Sequence, residues 1–389
     1  MVKGIFCHYL PIYKDINGEY CSTTLTDSLF KRYLEVVDIL IVATRVYELG
    51  CTYQEAHQEK ITLKNVKIME FPNLSSPYIL LTKLWHEKKR MKSVMKICDL
   101  IFIRGGIIAQ IGVDAATELK KPYLLESAGC AWDEYWNYSI VGKVLAPYME
   151  FRSKRDTWNA DYVIYVTEKW LQSRYPTKGK STYASNVILE KIDDSVLERR
   201  MKRIQTSERK KIILGTTGGV GNKAKGQQYV IQAMAMLQDK YNISYELVGG
   251  GSTDYLRYIA EKYKVKNKVI FKGEMVQEEV LNWLDNIDIY IQPSMQEGLP
   301  RALIEGMSRA CPAIGSTTAG IPELLENEVI FKRGNVKELK KVLERTIEGN
   351  LLRMAIRNFR KAKEYELSAL NARRREIYNQ YRRNVIGDN

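Results

Sequence analysis

Ser294-Met-Gln-Glu297-Gly-Leu-Pro300-Arg-Ala-Leu-Ile-Glu305-Gly-Met-Ser308 follows the apolar run Ile287-Asp-Ile-Tyr-Ile-Gln-Pro293. The run reads as the end of a buried strand, and Gly298-Leu-Pro300 as a tight turn. The remainder reads as a helix opened by Pro300 at its first position, where the missing N–H costs nothing. Glu297 then lies in the loop and Glu305 about two turns into the helix.

A helix start offers unpaired backbone N–H groups and the positive end of the dipole, which suits a phosphate or diphosphate. Carboxylates on either side of it would repel that anion unless they bind something else. Sugar hydroxyls fit, because one carboxylate accepts two O–H bonds at once. The pattern suggests a nucleotide-sugar pocket; taken without their neighbours, the same two glutamates also read as solvated helix-end charges.

Outward from this stretch, short β-branched runs alternate with helical patterns, the signature of parallel α/β architecture. The first half carries strands at about Lys3–His8, Ile39–Thr44, Leu100–Arg104, Pro122–Leu125 and Tyr162–Val166. A second series begins at Lys211-Ile-Ile-Leu and continues through Tyr245-Glu-Leu-Val, Val269-Ile-Phe, Asp288-Ile-Tyr-Ile and Ala313-Ile-Gly. Between them, the charge-dense stretch from Asp193 to Lys211 reads as an interdomain connection. This divides the chain into a first domain over 1–190, a connection over 191–210 and a second domain over 211–365. Residues 366–389 read as a terminal helix.

The chain has 389 residues, enough for two domains with separate cores. A hydrophobic content of 45% with 27% charged residues is that of a globular protein, and no apolar run is long enough to cross a bilayer. The start, Met1-Val-Lys-Gly-Ile-Phe-Cys7, reads as a first strand rather than a signal peptide. Six cysteines without a Cys-x-x-Cys pair argue against a zinc site and a disulfide framework, and imply reduced thiols in the cytosol. The only histidines are His8, His57 and His86, which excludes a Ser-His-Asp triad in the second half. A net charge of +14 calls for an acidic partner such as nucleotide phosphates or an anionic membrane face. No motif organises that charge for nucleic acid.

Gly215-Thr-Thr-Gly-Gly-Val-Gly-Asn-Lys-Ala-Lys-Gly226 lies between a strand and a helix, where its amides can cradle phosphate. Ala224 stands where a Walker loop needs Ser or Thr, and also where Gly-x-Gly-x-x-Gly needs its last glycine. An ATPase and a dehydrogenase are therefore disfavoured.

Glu297-x7-Glu305, the strand Cys311-Pro-Ala-Ile-Gly-Ser316, the turn Ala319-Gly-Ile-Pro-Glu323, Lys225-Gly226, Leu247-Val-Gly-Gly-Gly251 and Val269-Ile-Phe-Lys-Gly273 stand in one order and spacing. Together they resemble the donor-site half of the family 4 glycosyltransferases, specifically over about residues 211–326. The resemblance implies a GT-B fold, two Rossmann-like doubly wound domains facing across a cleft, with the terminal helix crossing back onto the first domain. It also implies transfer from a nucleoside-diphosphate sugar with retention of configuration, no metal and no other cofactor. Lys225 and the turn Gly298, Leu299, Pro300 and Arg301, through the N–H groups of all but the proline, are assigned to the diphosphate, Glu305 to the ribose and Glu297 to the transferred sugar. Two positions depart from the family. Gly219 stands where an Arg usually joins the Lys, leaving Lys223 as the nearby substitute, and Ala128 stands where many members carry a His.

On the acceptor side, Arg104 and Glu126 each end an apolar strand facing the expected cleft, and Asp133, Glu134 and Trp136 form a nearby sugar-binding set. The segment Leu84–Cys98 reads as a basic amphipathic helix. Leu84, Met91, Met95 and Cys98 form its apolar stripe, suited either to an anionic membrane surface or to packing on the first domain. The reading is a cytosolic glycosyltransferase, peripheral on the membrane, moving a hexose or N-acetylhexosamine to a glycan or polyprenyl-linked acceptor in surface polysaccharide synthesis. The alternatives are a GT-B nucleotide-sugar 2-epimerase and a non-catalytic nucleotide-sugar-binding subunit.

Overall fold

A computed structural model describes residues 1–74, 76–137, 139–206 and 211–387, the side chains of 77, 80 and 81 excepted. The first half is built on a ten-stranded sheet. Its parallel strands lie in the spatial order Lys180–Tyr183, Tyr162–Tyr165, Leu124–Ser127, Leu100–Arg104, Lys3–His8, Ile39–Glu48 and Val66–Phe71. Helices on both faces leave Ile5, Phe6, Cys7, Leu100, Ile101, Phe102 and Ile103 buried, which is why these strands read as continuous apolar runs. Short strands Ile12–Lys14, Tyr20–Ser22 and Glu59–Lys60 extend the sheet from the far end of Ile39–Glu48.

The second half carries a six-stranded parallel sheet in the order Val269–Gly273, Ile243–Val248, Ile212–Thr217, Ile289–Gln292, Ala313–Ser316 and Ile330–Phe331. In each sheet the chain winds outward from a central strand on one side and then returns to its other side. The switch points lie between Lys3–His8 and Leu100–Arg104 in the first sheet, and between Ile212–Thr217 and Ile289–Gln292 in the second. Doubly wound sheets open their ligand crevices at the carboxyl ends of such strand pairs. Those ends carry His8 and Arg104 in one half, and Thr217 and Gln292 in the other.

Most of the stretch expected to be a bare connection is helical. Ser195–Thr206 is a helix whose Arg200 is buried and donates to the carbonyls of Leu284 (2.6 Å), Ile287 (2.6 Å) and Arg309 (3.2 Å). The helix therefore belongs to the packing of the second half, and residues 207–210 lie outside the described residues. Helix Leu351–Lys363 packs on it and on Arg301–Ser308.

The chain ends in helix Leu367–Ile386, which lies on the first sheet. There the Tyr381 hydroxyl accepts from Ile101 N (2.9 Å) and donates to Pro122 O (2.9 Å). Two details of the opening stretch differ from expectation. Pro300 caps helix Arg301–Ser308 with an extended backbone instead of being its first residue, and Glu305 is the helix's fifth residue, little more than one turn in.

For the basic helix the structure decides between the two uses read for its stripe. It spans Pro77–Lys96, and Met91, Met95 and Cys98 are fully buried against the first core. That stripe is an ordinary packing face.

Candidate active site

Lys225 and Glu297 meet at the carboxyl edge of the second sheet, Nζ to Oε1 at 2.7 Å. Local backbone geometry brings them together. Lys225 closes a 3-10 turn, Lys223–Lys225, capped by the Asn222 side chain, which accepts from Ala224 N. Gly226 follows in the left-handed region (φ 74°), and a Cβ there would sit 2.0 Å from Pro293 O. Only glycine lets this turn press against the loop that carries Glu297.

Glu297 is held by a buried polar chain. The Thr217 and Tyr290 hydroxyls lie 2.9 Å apart, and Tyr290 Oη donates to Gln292 Oε1 (3.1 Å). The Gln292 amide then donates to Ser294 Oγ (2.8 Å) and to Glu297 Oε1 (3.3 Å), and Ser294 Oγ to the same carboxylate oxygen (2.8 Å). Tyr290 and Gln292 share one side of their strand because side chains alternate there. Ser316 and Thr318 hydroxyls both donate to Ser294 O, fixing the loop backbone.

A cavity of about 620 Å³ opens here, lined by Thr217, Gly218, Lys225, Glu297, Leu299, Pro300, Arg301 and Glu305 among others. Burial holds the Glu305 carboxyl above the usual carboxylate range, partly opposed by Arg301 one turn earlier. The sequence reading used the Arg301 amide and not its side chain. The signal was available: a cation in the first turn of a helix opposes the dipole, so an Arg there calls for a nearby anion.

Lys223 is directed elsewhere, its Nζ 4.3 Å from the centre of the Tyr255 ring. Gly219 does not line the cavity; a Cβ there would meet only Gly250 O, at 3.7 Å, so the position is open. Gly298 touches the other half of the molecule, since a Cβ there would lie 2.1 Å from Ala128 O.

On the first half, a cavity of about 230 Å³ sits at the other switch point, lined by His8, Tyr9, Arg104, Glu126, Ala128, Gly129 and Glu134 among others. Arg104 and Glu126 lie 3.6 Å apart, and Glu126 Oε1 also accepts from Tyr33 (2.7 Å) and Tyr378 (2.9 Å). Burial first, and then the Glu126 charge, hold both tyrosine hydroxyls well above their usual range. Glu126 therefore both faces the cavity and ties down the terminal helix. Asp133 is buried and does not line the cavity. It faces Arg333 of the second half at 3.5 Å.

Its neighbour Glu134 does line the cavity. More than a third of Glu134 is open, but into the cleft, where the surrounding protein still displaces water. That burial, with the adjacent Asp133 charge, pushes its carboxyl up to about 7. His8 was also missed. Its Nδ1 accepts from Tyr9 N (2.8 Å), while its buried Nε2 makes no well-formed hydrogen bond among the described residues. Burial and Arg104 hold the imidazole well below its usual value, so it is neutral with Nε2 as donor.

A third void of about 220 Å³ connects the two sides. It shares Ala128, Gly129 and Glu134 with the first cavity and Lys225 and Glu297 with the second. Among the described residues no group of three or more His, Cys, Asp or Glu side chains gathers as a metal-ligand set.

The family model described as "Glycosyl transferases group 1" matches residues 198–363, which include Lys225, Glu297 and Glu305. Protein CapJ of Staphylococcus aureus is 30% identical over 99% of this chain and 96% of its own length. The amylovoran biosynthesis glycosyltransferase AmsK of Erwinia amylovora is 30% identical over 32% of this chain and 33% of its own. HepE of Anabaena, solved in complex with UDP, superposes with a TM-score of 0.65 at 16% identity, covering 98% of this chain and all of HepE. The two doubly wound halves are thus the GT-B fold, and the chain belongs to the group 1 glycosyltransferases.

Proposed function

We propose that the enzyme transfers a hexose or N-acetylhexosamine, with retention, from a nucleoside-diphosphate sugar to a glycan or polyprenyl-linked acceptor in polysaccharide assembly. The observation that carries this reading is the Lys225–Glu297 pair at the junction of two cavities, one in each half. The names of AmsK and the UDP bound to HepE support the polymer and the donor class. In this reading Lys225, Arg301 and the amides at the start of helix Arg301–Ser308 receive the diphosphate. Glu305 takes the ribose hydroxyls. Diphosphate binding draws Lys225 from Glu297, and the freed carboxylate then accepts from hydroxyls of the transferred sugar.

The anomeric C–O bond to the diphosphate breaks through an oxocarbenium-like transition state. Lys225 and Arg301 stabilise the charge that develops on the leaving oxygen. The acceptor oxygen forms the new bond on the same face and gives its proton to that leaving oxygen, so no protein base is required at Ala128. The acceptor enters over His8, Arg104 and Glu134, and a lipid-linked acceptor places the enzyme at the cytoplasmic membrane face.

Purified protein incubated without added metal with uridine, guanosine and adenosine diphosphate sugars tests this. Slow nucleotide release from one donor is expected. Thermal stabilisation without release under any acceptor would favour the binding-subunit reading, to which Gly219 and Ala128 lend support. No response to any donor would overturn the assignment.

A further inference from the structure

Helix Ile140–Trp158 is buried on one face and apolar on the opposite, outward one. One face packs inward: Ala146 and Met149 are buried, and Met149, Ser153, Asp156 and Thr157 line the acceptor-side cavity. The other carries Ile140 (83% exposed), Val144 (76%), Tyr148 (57%) and Phe151 (66%), one above another at helical spacing. Val141 (67%) and Leu145 (43%) widen it. A surface helix normally turns polar groups outward, so a continuous outward apolar stripe marks an interaction surface.

Charge indicates what covers it. The exposed charged residues of this helix are Lys143, Lys154 and Arg155; its carboxylates, Glu150 and Asp156, are buried. Lys143 also lies over the ring of Trp136, itself 42% exposed, on the adjoining short helix. In the same helical layer, Lys88 of helix Pro77–Lys96 and Arg152 of this helix both pair with Asp114 between them. Helix Pro77–Lys96 adds exposed Trp85 with Lys89 over its ring. Outward aliphatic side chains flanked by lysines and tryptophans suit an interface between water and anionic lipid. Lys154 and Arg155 are paired with Glu150 (3.5 Å) and Asp156 (2.8 Å) behind the stripe, whereas self-association through a two-fold axis would set Lys143, which faces an aromatic ring and no carboxylate, against its own copy.

We propose that the outer face of helix Ile140–Trp158 docks on an anionic phospholipid bilayer, so that the cavity behind the same helix receives its acceptor from the membrane surface. The purpose of this docking rests on the lipid-linked acceptor reading above; the docking itself is measured separately. The full chain is floated with vesicles of phosphatidylcholine alone and of phosphatidylcholine with phosphatidylglycerol. The wild type should float with the anionic vesicles. The pair Val144→Ser and Phe151→Ser should weaken that binding on the order of tenfold or more. Lys143→Gln with Lys154→Gln should weaken it by roughly fivefold per lysine.

Both pairs should keep the wild-type melting temperature and the wild-type rate of nucleotide release in solution. Failure of the wild type to float, or floating of the serine pair like the wild type, overturns the proposal. So does a wild-type dimer that the serine pair converts to monomer, which would give the face to a second copy. Floating with no nucleotide release from any donor would instead sink the transferase reading and leave the docking surface standing.

Discussion

At the scale of single residues, the site is organised by a carboxylate held ready for release from its cation. Glu297 accepts from Lys225, Ser294 and Gln292, all on Oε1. Loss of Lys225 leaves the carboxylate its two neutral donors but removes the charge proposed to meet the diphosphate. Lys225→Ala should therefore lower turnover on the order of 10- to 1,000-fold, while Glu305→Ala should mainly raise the donor KM; steady-state kinetics on the identified donor separate the two. Glu134 makes a pH-dependent prediction. Its carboxyl is raised to about 7, so the folded protein binds a proton there that the unfolded chain, at an ordinary carboxylate value, has lost. Folding stability from this group accordingly falls as pH rises from the ordinary range to about 7, and is flat above. Glu134→Gln should flatten that slope and raise the melting temperature at pH 8; a Gln variant with the wild-type pH profile would refute the shift. That Glu297 and Glu305 stand near each other was legible because one strand, turn and helix carries both, whereas Lys225 was read from a separate Gly-rich loop. Glu134 was named in a sugar-binding set, but its raised carboxyl, like the neutral state of His8, comes from burial at a cleft that only the fold creates.

At the scale of elements, buried parallel strands were legible because both faces are covered and the residues run apolar. Of the missed strands, Ile12–Lys14, Tyr20–Ser22, Glu59–Lys60, Lys180–Tyr183 and Ile330–Phe331 are two to four residues long, too short for any period to show, while the six-residue Val66–Phe71 was missed because exposed Lys67 and Glu70 interrupt its apolar run. Helix Ser195–Thr206 hid for another reason: its deepest anchor is a charged side chain, Arg200, matched to backbone carbonyls that the sequence does not display. Arg200→Met removes the donors to Leu284 O and Ile287 O inside a packed region. We expect a loss of about 2–5 kcal/mol, read by urea denaturation, and a smaller loss for Arg203→Met at the more exposed neighbouring site. Helix Ile140–Trp158 lacks a clear period because its buried face mixes Ala146 and Met149 with Glu150, Asp156 and Thr157 while its outward face is apolar, and Pro147 sits inside it, so its outward stripe emerged only once the inward face had been placed. The apolar positions of Pro77–Lys96, by contrast, were read as a stripe with two possible uses, and it is the packing one that the fold realises; Met91 and Met95 fill the core.

At the scale of the whole molecule, the two halves are joined by two chain crossings that bind each other: Leu367 N donates to Leu189 O (2.7 Å) and Ile192 N to the Glu366 side chain (3.0 Å). Away from these crossings, the cleft is held by few groups. Asp133 faces Arg333 at 3.5 Å. The strongest tie is Glu323, whose carboxylate accepts from the backbone N–H of Glu168 (2.7 Å), Lys169 (3.1 Å) and Trp170 (2.5 Å) across the halves. These amides open the short helix Trp170–Arg174, where an anion is favoured by dipole and unpaired donors alike. A neutral amide at 323 presents one acceptor oxygen and turns an NH₂ toward the remaining donors. Weakening this contact by about 1.5–3 kcal/mol changes the ratio of closed to open forms roughly ten- to 150-fold. Glu323→Gln should therefore enlarge the radius of gyration in solution scattering and raise KM for donor and acceptor together, since each cavity is completed at the void they share. Glu323 touches neither cavity, so a defect in turnover at saturating substrates without any change in dimensions would instead place it in the chemistry. A variant with wild-type dimensions and wild-type KM would show that the halves are held by their chain crossings alone.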